Sequence, residues 1–538
     1  MTVAPQESLA KGAVKVTLLT AVSRLTGFLR VIAVAAAMGT TFLANTYQTA
    51  NTAPNVIFEL VAAGVLTSVF VPTFVAYIAR DEHEEGWSAA NALTSVALVA
   101  LTGIALLVGL LAPWIMRLLL IGIAKEGVRE NAITLGTSFL RLFAPQIVFY
   151  GAGMIMTAAL HARRHFTMPA LAPIFNNVVV IAVYLLYMAM RHGNGNVGGV
   201  STGETWLLGF GTTVGVIAMT LCLVPSLRRL GWRFRFDPDV KHPAVRKGSR
   251  LGGWALGYAG GYQAGLIVVL ILANKVEGGV AAYQWAYTFF YLPHALIGVP
   301  VFNVLFTAMS EHAAARDTQG IVQRLQEGIS MLVFVLLPLS GLMIVAADPI
   351  ARLTLDYGLM TSDGAALVAR VLSAFAVGLA AFSCFLVMTR AFYALADTKT
   401  PALINGGTMV AAIVVGATLF YSLPAEWSVA GLALGHSAAY LFGALVLGKR
   451  LGGRLDVDLF SGIRAPLAAA LAGSFAATLV MVAVHALLPD GSKLGALLDV
   501  IVTAAAGAGA YGLVMAKLGS EQLARIRVLA ASLRGARR

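Results

Sequence analysis

Along most of the chain, runs of about twenty apolar residues alternate with short polar breaks marked by glycine, proline or charge. Coiled as an α-helix, a run of that length matches the hydrocarbon thickness of a bilayer. Fourteen such runs fall at 14–38, 55–79, 89–111, 132–160, 168–190, 205–225, 251–273, 280–308, 328–347, 364–392, 401–422, 428–447, 465–487 and 494–516. They are numbered spans 1 to 14 in that order. Spans 2 and 8 are the most interrupted, each holding proline and polar residues. The pattern predicts an all-α polytopic membrane protein with about 14 transmembrane helices. Span 1 contains Arg24 and Arg30, which the apolar core of a cleavable signal peptide would not tolerate, so it is predicted to be a retained helix.

An even number of spans puts both termini on one side, and the basic residues say which. The loop 226–250 carries Arg228, Arg229, Arg233, Arg235, Lys241, Arg246, Lys247 and Arg250, and the tail 517–538 adds Lys517, Arg525, Arg527, Arg534, Arg537 and Arg538. The opposite side holds Arg117, Lys125, Arg129, Arg191, Lys275, Arg352 and Lys493. This asymmetry, kept through every alternation, predicts cytoplasmic termini. It also accounts for the net charge of +13 without a nucleic-acid partner, and it implies attraction to anionic membrane lipids. In the tail, Leu523, Ile526, Leu529 and Leu533 have the spacing of a short amphipathic helix, a disordered basic tail being the alternative.

Composition agrees with the spans. Hydrophobic residues make up 59% of the 538 and charged residues 12%, where soluble domains carry about 25% charged, so the chain cannot cover itself in water. The two cysteines, Cys222 and Cys384, lie far apart inside apolar runs and imply neither a disulfide framework nor a metal site.

The chain repeats itself. Tyr47-Gln48-Thr49-Ala50-Asn51-Thr52 resembles Tyr283-Gln284-Trp285-Ala286-Tyr287-Thr288 at an offset of 236, which also pairs Val69-Phe70 with Leu305-Phe306. Pro169-Ala170-Leu171 pairs with Pro401-Ala402-Leu403 at 232, and Arg141 with Arg370 at 229. The offset covers six spans, so the copies have parallel topology and predict two six-helix lobes. The organisation expected is an N-terminal lobe at 1–225, a basic cytoplasmic loop at 226–250, a C-terminal lobe at 251–447, two added spans within 465–516 and a basic tail at 517–538.

Polar groups inside the spans mark candidate chemistry. Ser23-Arg24-Leu25-Thr26-Gly27-Phe28-Leu29-Arg30 puts two arginines in one span, each costing about 2.5–3.5 kcal/mol at a helix centre unless it meets water, a partner or an anion. At about 100° per residue the six-residue step turns them roughly 240° apart, so they border a wide cavity rather than share a narrow face. Guanidinium groups suit phosphate, and Gly27 permits close approach of a helix or ligand. An interhelical ion pair, for instance with Glu59, or snorkelling is the structural alternative. Glu59 follows Pro54-Asn55 and could also complement its helix N-terminus or couple protons. The aromatic run Tyr283–Tyr291 reads as an interfacial belt, with sugar stacking as the functional alternative. Arg141 and Arg370 read as snorkelling, and Asn176 and Asn177 as interhelical hydrogen-bond groups. No P-loop, HExxH, GxSxG or paired intramembrane carboxylates appear, so neither an enzyme nor a cofactor is expected, and transport energy would come from an ion gradient or membrane potential.

The run Ser23–Arg30, then Ala53-Pro54-Asn55, Phe70-Val71-Pro72 and the stretch from Arg390 through Asp397-Thr398-Lys399-Thr400 to Pro401, resemble the MurJ (MviN) family of lipid II flippases, in the multidrug/oligosaccharidyl-lipid/polysaccharide exporter superfamily. The resemblance covers spans 1–12 in order. It implies a bacterial inner-membrane flippase that moves lipid II, or a similar polyprenyl-pyrophosphate-linked glycan, by alternating access. Arg24 and Arg30 would bind the pyrophosphate, and Ser23, Gly27, Asn55, Glu59, Gln284 and Thr288 would line the cavity or gate. Spans 13 and 14 would form a groove for the lipid tail, and cell-wall synthesis or division proteins would be partners. Some relatives carry a sodium site, for which Asp397 is the nearest candidate. The chain departs from the family pattern at Val31, Asn45, Phe58-Glu59, Ala63-Gly64-Val65 and Thr288, where acidic or basic groups are usual. Three other readings compete: another lipid-linked glycan flippase, a drug or cation antiporter of the twelve-span branch, and a non-transporting cell-wall scaffold.

Overall fold

A computed structural model describes residues 6–61, 83–191, 195–239, 263–488 and 492–524. The far half of span 2, the start of span 7, the motifs at 63–65 and 69–72, the loop 240–250 and the tail beyond 524 lie outside the described residues. Every regular element among the described residues is helical.

Each of the fourteen runs overlaps a helix among the described residues. Among those residues eleven helices are long and apolar enough to cross a membrane, and a twelfth span is the bent pair Ser362–Ala376 and Leu379–Ala394. Span 7 is represented by Gln263–Ala273 and span 2 by Phe42–Val61. Span 2 therefore starts well before residue 55. Its first turns carry Asn45, Thr46, Thr49 and Asn51, which look like loop but are buried or half-buried among neighbouring helices. The chain is a multi-pass membrane protein.

The backbone divides into two compact units, 1–281 with 357–360, and 282–356 with 361–538. In the first, span 1 packs on span 5, span 5 on span 6, span 6 on span 4, and span 4 on spans 2 and 3. In the second, span 11 packs on span 12, span 12 on span 10, and span 10 on span 9, while span 13 joins spans 9 and 14. The 5–6, 4–6 and 3–4 contacts recur as 11–12, 10–12 and 9–10, the packing expected of a six-span repeat.

The repeat reaches down to side chains. Tyr47 packs edge-on against Phe139 with centroids 5.5 Å apart. Tyr283 does the same against Phe375 at 5.0 Å. Both residues of the pair are displaced by 236 positions. Spans 5 and 11 are both 24-residue helices, Thr167–Met190 and Lys399–Ser422, with Pro169 and Pro401 as third residue. Spans 4 and 10 both break midway, at Ala144-Pro145 and at Val377-Gly378, the second by 48°.

Each break frees carbonyls, and a hydroxyl on the next helix but one satisfies them. Thr213 of span 6 donates to Leu142 O at 2.8 Å; further along the same pair of spans, Thr220 donates to Phe149 O at 2.9 Å within the continuing helix. Ser437 of span 12 donates to Ala374 O at 2.8 Å, and Gly378 lets the two backbones close up, since a Cβ there would meet Ser437 Cα at 2.7 Å. At the end of span 1, Gly358 has φ +65°, and a Cβ there would run into Ala36 O; next to it Leu359 N donates to Ala36 O at 2.9 Å.

The aromatic run 283–291 is not a belt. Trp285, Phe289 and Phe290 are buried, and Phe290 stacks on Phe375 at 5.3 Å within a ring cluster that includes Phe382 and His436. These rings are the core of the second unit, because the neighbouring helices present aromatic faces that the sequence run alone does not show.

In the first unit the Tyr47 hydroxyl meets Thr212 Oγ1 at 2.6 Å and Tyr184 Oη at 3.0 Å, tying span 2 to spans 5 and 6. Tyr47→Phe removes both bonds at unchanged shape. It should lower the unfolding free energy of the detergent-purified protein by about 1 kcal/mol. Thr212→Val should add little on that background, which a double-mutant cycle of thermal unfolding would check.

Candidate functional site

The Ser23–Arg30 stretch is helical throughout and is backed by span 5. Asn177 Nδ2 donates to Thr26 Oγ1 at 3.0 Å and to Ser23 O at 3.3 Å, so Asn177 is an interhelical hydrogen-bond group. Its amide lies 3.6 Å from where a Cβ on Gly27 would stand, an ordinary contact, so Gly27 gives span 5 its approach without demanding glycine.

Arg24 is exposed and Arg30 half-buried on this backed helix. The charge of Arg30 acts on three tyrosine hydroxyls, those of Tyr47, Tyr150 and Tyr184. Asn55 Nδ2 donates to Asn51 O at 3.0 Å within span 2. The fold thus brings Arg30 within electrostatic range of hydroxyls on spans 2, 4 and 5. Neutral hydroxyl groups, unlike a carboxylate, leave the charge of a guanidinium uncancelled. Sequence reasoning missed the tyrosines, because they come from three different spans.

Glu59 accepts from Gln263 Nε2 at 2.5 Å, joining span 2 to span 7. Gln263 is almost fully buried while Glu59 is exposed. Gln284 and Thr288 belong to the second unit, where Thr288 Oγ1 donates back to Gln284 O at 3.1 Å within their own helix.

The departures from the family pattern have local reasons. Val31 is buried, which a charge there would oppose. Phe58 packs against Tyr150, ring centroids 5.5 Å apart. Asn45 is a three-bond cap: its Nδ2 donates to Val276 O at 2.9 Å, and its Oδ1 accepts from Val280 N at 3.0 Å and Ala281 N at 3.3 Å. It satisfies orphan amides at the start of span 8, 235 and 236 residues further along the chain.

Asp397 stands just ahead of span 11. Its oxygens accept from Thr400 N at 3.0 Å and Thr400 Oγ1 at 2.8 Å, and Arg454 lies 3.6 Å away. The Thr400 backbone N–H, with its hydroxyl and Arg454, holds the carboxyl below the usual carboxylate range. This donor set fits a helix cap and an ion pair; with a guanidinium beside it, it does not fit a sodium ion. Among the described residues no group of three His, Cys, Asp or Glu side chains could hold a metal.

One intramembrane acid escaped the sequence reading. Asp499 in span 14 is 4% exposed; it meets His485 Nδ1 of span 13 at 2.6 Å and accepts from Thr503 Oγ1 at 2.8 Å. Its position inside an apolar run was the visible signal.

Two helical units, holding spans 1–7 and spans 8–14 and sharing a sequence repeat, define a helical membrane transporter fold. It is shared with the inward-facing conformation of a multidrug resistance MATE family transporter of the MOP superfamily, at a TM-score of 0.63 and 14% identity over 81% of this chain and 94% of that one. The solved structure of the lipid II flippase MurJ in its inward closed conformation matches at 0.74 and 19% identity, covering 94% of this chain and 99% of that one. The model of the lipid II flippase MurJ family matches residues 34–500, so the chain belongs to the MurJ family. A probable lipid II flippase MurJ of Rhizobium meliloti is 26% identical over 84% of this chain and 82% of its own length. The probable lipid II flippase MurJ of Thermotoga maritima is 26% identical over 84% and 87%.

Asn45→Asp keeps the acceptor oxygen and adds a charge that a helix N-terminus favours. Asn45→Ala loses all three bonds. The alanine variant should unfold with a loss of about 1–2 kcal/mol and the aspartate variant with clearly less, measured by thermal denaturation in detergent.

Proposed function

We propose that this chain flips lipid II, the polyprenyl-pyrophosphate-linked peptidoglycan precursor, from the inner to the outer leaflet of the bacterial inner membrane, with both termini in the cytoplasm. Membership of the MurJ family across residues 34–500 carries the reading. The chemistry around span 1 supports it. Arg24 and Arg30 supply the cationic groups for the pyrophosphate, and the charge of Arg30 acts on neutral tyrosine hydroxyls, which do not cancel it. Ser23, Gly27 and Asn55 shape the same stretch, Glu59 fixes span 2 to span 7, and Gln284 and Thr288 serve the cavity from the C-terminal lobe. Spans 13 and 14, pinned through Asp499 and His485, hold the lipid tail.

Alternating access of the two lobes, driven by membrane potential or an ion gradient, moves the headgroup across. The pyrophosphate needs planar, bidentate donors, so lysine is a poor replacement for either arginine.

The test is complementation. In a host depleted of its own lipid II flippase, the wild-type chain should restore growth and bring lipid II to the outer leaflet. Arg24→Ala and Arg30→Ala should each abolish growth while leaving folded protein in the membrane, and Arg30→Lys should restore it only in part. Normal growth from both alanine variants would overturn the anion-binding role of span 1. Failure of a well-inserted wild-type chain would overturn lipid II as the substrate.

A further inference from the structure

Where span 11 begins and span 12 ends, the second unit holds a cavity of about 830 Å³ lined by the bases Lys449, Arg450 and Arg454 together with the apolar Leu403 and Val446. Arg450 and Arg454 are one helical turn apart and share a face. Asp397 is the one acid in the lining, and its oxygens are engaged by Thr400 and approached by Arg454. The next acid along the chain to carry an ion pair, Asp458, is bound by Arg464 at 2.9 Å. Among the described residues no acidic group pairs with Lys449 or Arg450, and both are exposed. The cavity is therefore cationic, lies at the end of two membrane spans and has apolar side chains in its lining. A soluble anion would use the bases and gain nothing from Leu403 and Val446. A phosphate carrying acyl chains uses both.

We propose that this cavity binds the phosphodiester headgroup of an anionic glycerophospholipid in the leaflet it opens to, which is the cytoplasmic leaflet in the orientation proposed above. The bases hold the phosphate, and the first acyl carbons lie on Leu403 and Val446. The site lies wholly within the second unit and uses none of the span 1 residues. Its failure and the failure of the flipping reading are thus separable: one is read by lipid binding to the resting protein, the other by growth.

The experiment is native mass spectrometry of the purified full chain in neutral detergent, titrated with short-chain phosphatidylglycerol or phosphatidylcholine. Phosphatidylglycerol adducts should persist where phosphatidylcholine adducts do not, and added salt should weaken them. Lys449→Gln with Arg450→Gln should lower affinity roughly tenfold or more. Asp397→Asn keeps an oxygen for Thr400 but removes the competing anion, so it should hold or raise the affinity; a cation site would lose binding instead. An unchanged unfolding midpoint verifies that the variants are folded, and Arg450→Gln alone, on an exposed helix face, serves if the double variant is not. Equal retention of the two lipids, or unchanged phosphatidylglycerol binding by the folded double variant, would overturn the proposal. So would full displacement of the lipid by millimolar inorganic phosphate or glycerol phosphate, which would make the ligand a soluble phosphate.

Discussion

A backbone carbonyl inside a bilayer has no water to turn to, so wherever a membrane helix breaks, another helix must supply a donor. The rest of this structure depends on that constraint. Spans 4 and 10 break at Ala144-Pro145 and Val377-Gly378, and Thr213 and Ser437 reach across from spans 6 and 12 to take up freed carbonyls. These bonds fix which helices must be neighbours. They recur in the two units because the breaks recur, and so they hold the six-span repeat together at its weakest points. The kinks in turn set where Phe139 and Phe375 stand, and hence where Tyr47 and Tyr283 can pack.

The same constraint governs the charged groups. Asp499 is buried and fully partnered, so it works as a pin between spans 13 and 14. Arg30 is placed among uncharged hydroxyl groups, which stabilise a guanidinium without neutralising it. That difference in partners separates a group held between helices from the one proposed above to meet a ligand.

The departures from the family pattern show how a divergent chain keeps its fold. Asn45 stands where relatives often carry aspartate, and its amide still delivers an acceptor to the first amides of span 8 while adding a donor for Val276 O. Phe58 replaces a base and fills space against Tyr150. Glu59, an acid where a base is usual, is tied to Gln263. At Asn45 and Phe58 a neutral hydrogen bond or packing stands where the resemblance implies charge, and at Glu59 a carboxylate does.

Span number, order and repeat were legible in the sequence because the bilayer imposes a length and an apolarity that no tertiary contact can waive. Basic-residue asymmetry and the pair Arg24 and Arg30 were legible for the same reason: charge in or beside hydrocarbon is too costly to be incidental. The partners of those charges were not legible. Tyr150 and Tyr184 reach Arg30 from spans far along the chain, and Gln263 reaches Glu59 from the seventh span. The aromatic run at 283–291 has the composition of an interfacial belt and became a core, because its fate rested on Phe375, Phe382 and His436 on other helices. The sequence by itself determined which segments enter the membrane, since that is a one-dimensional transfer problem. Only the tertiary structure decided which polar groups meet there, since hydrogen bonds and ring contacts are made between helices and leave no periodic mark along any one of them.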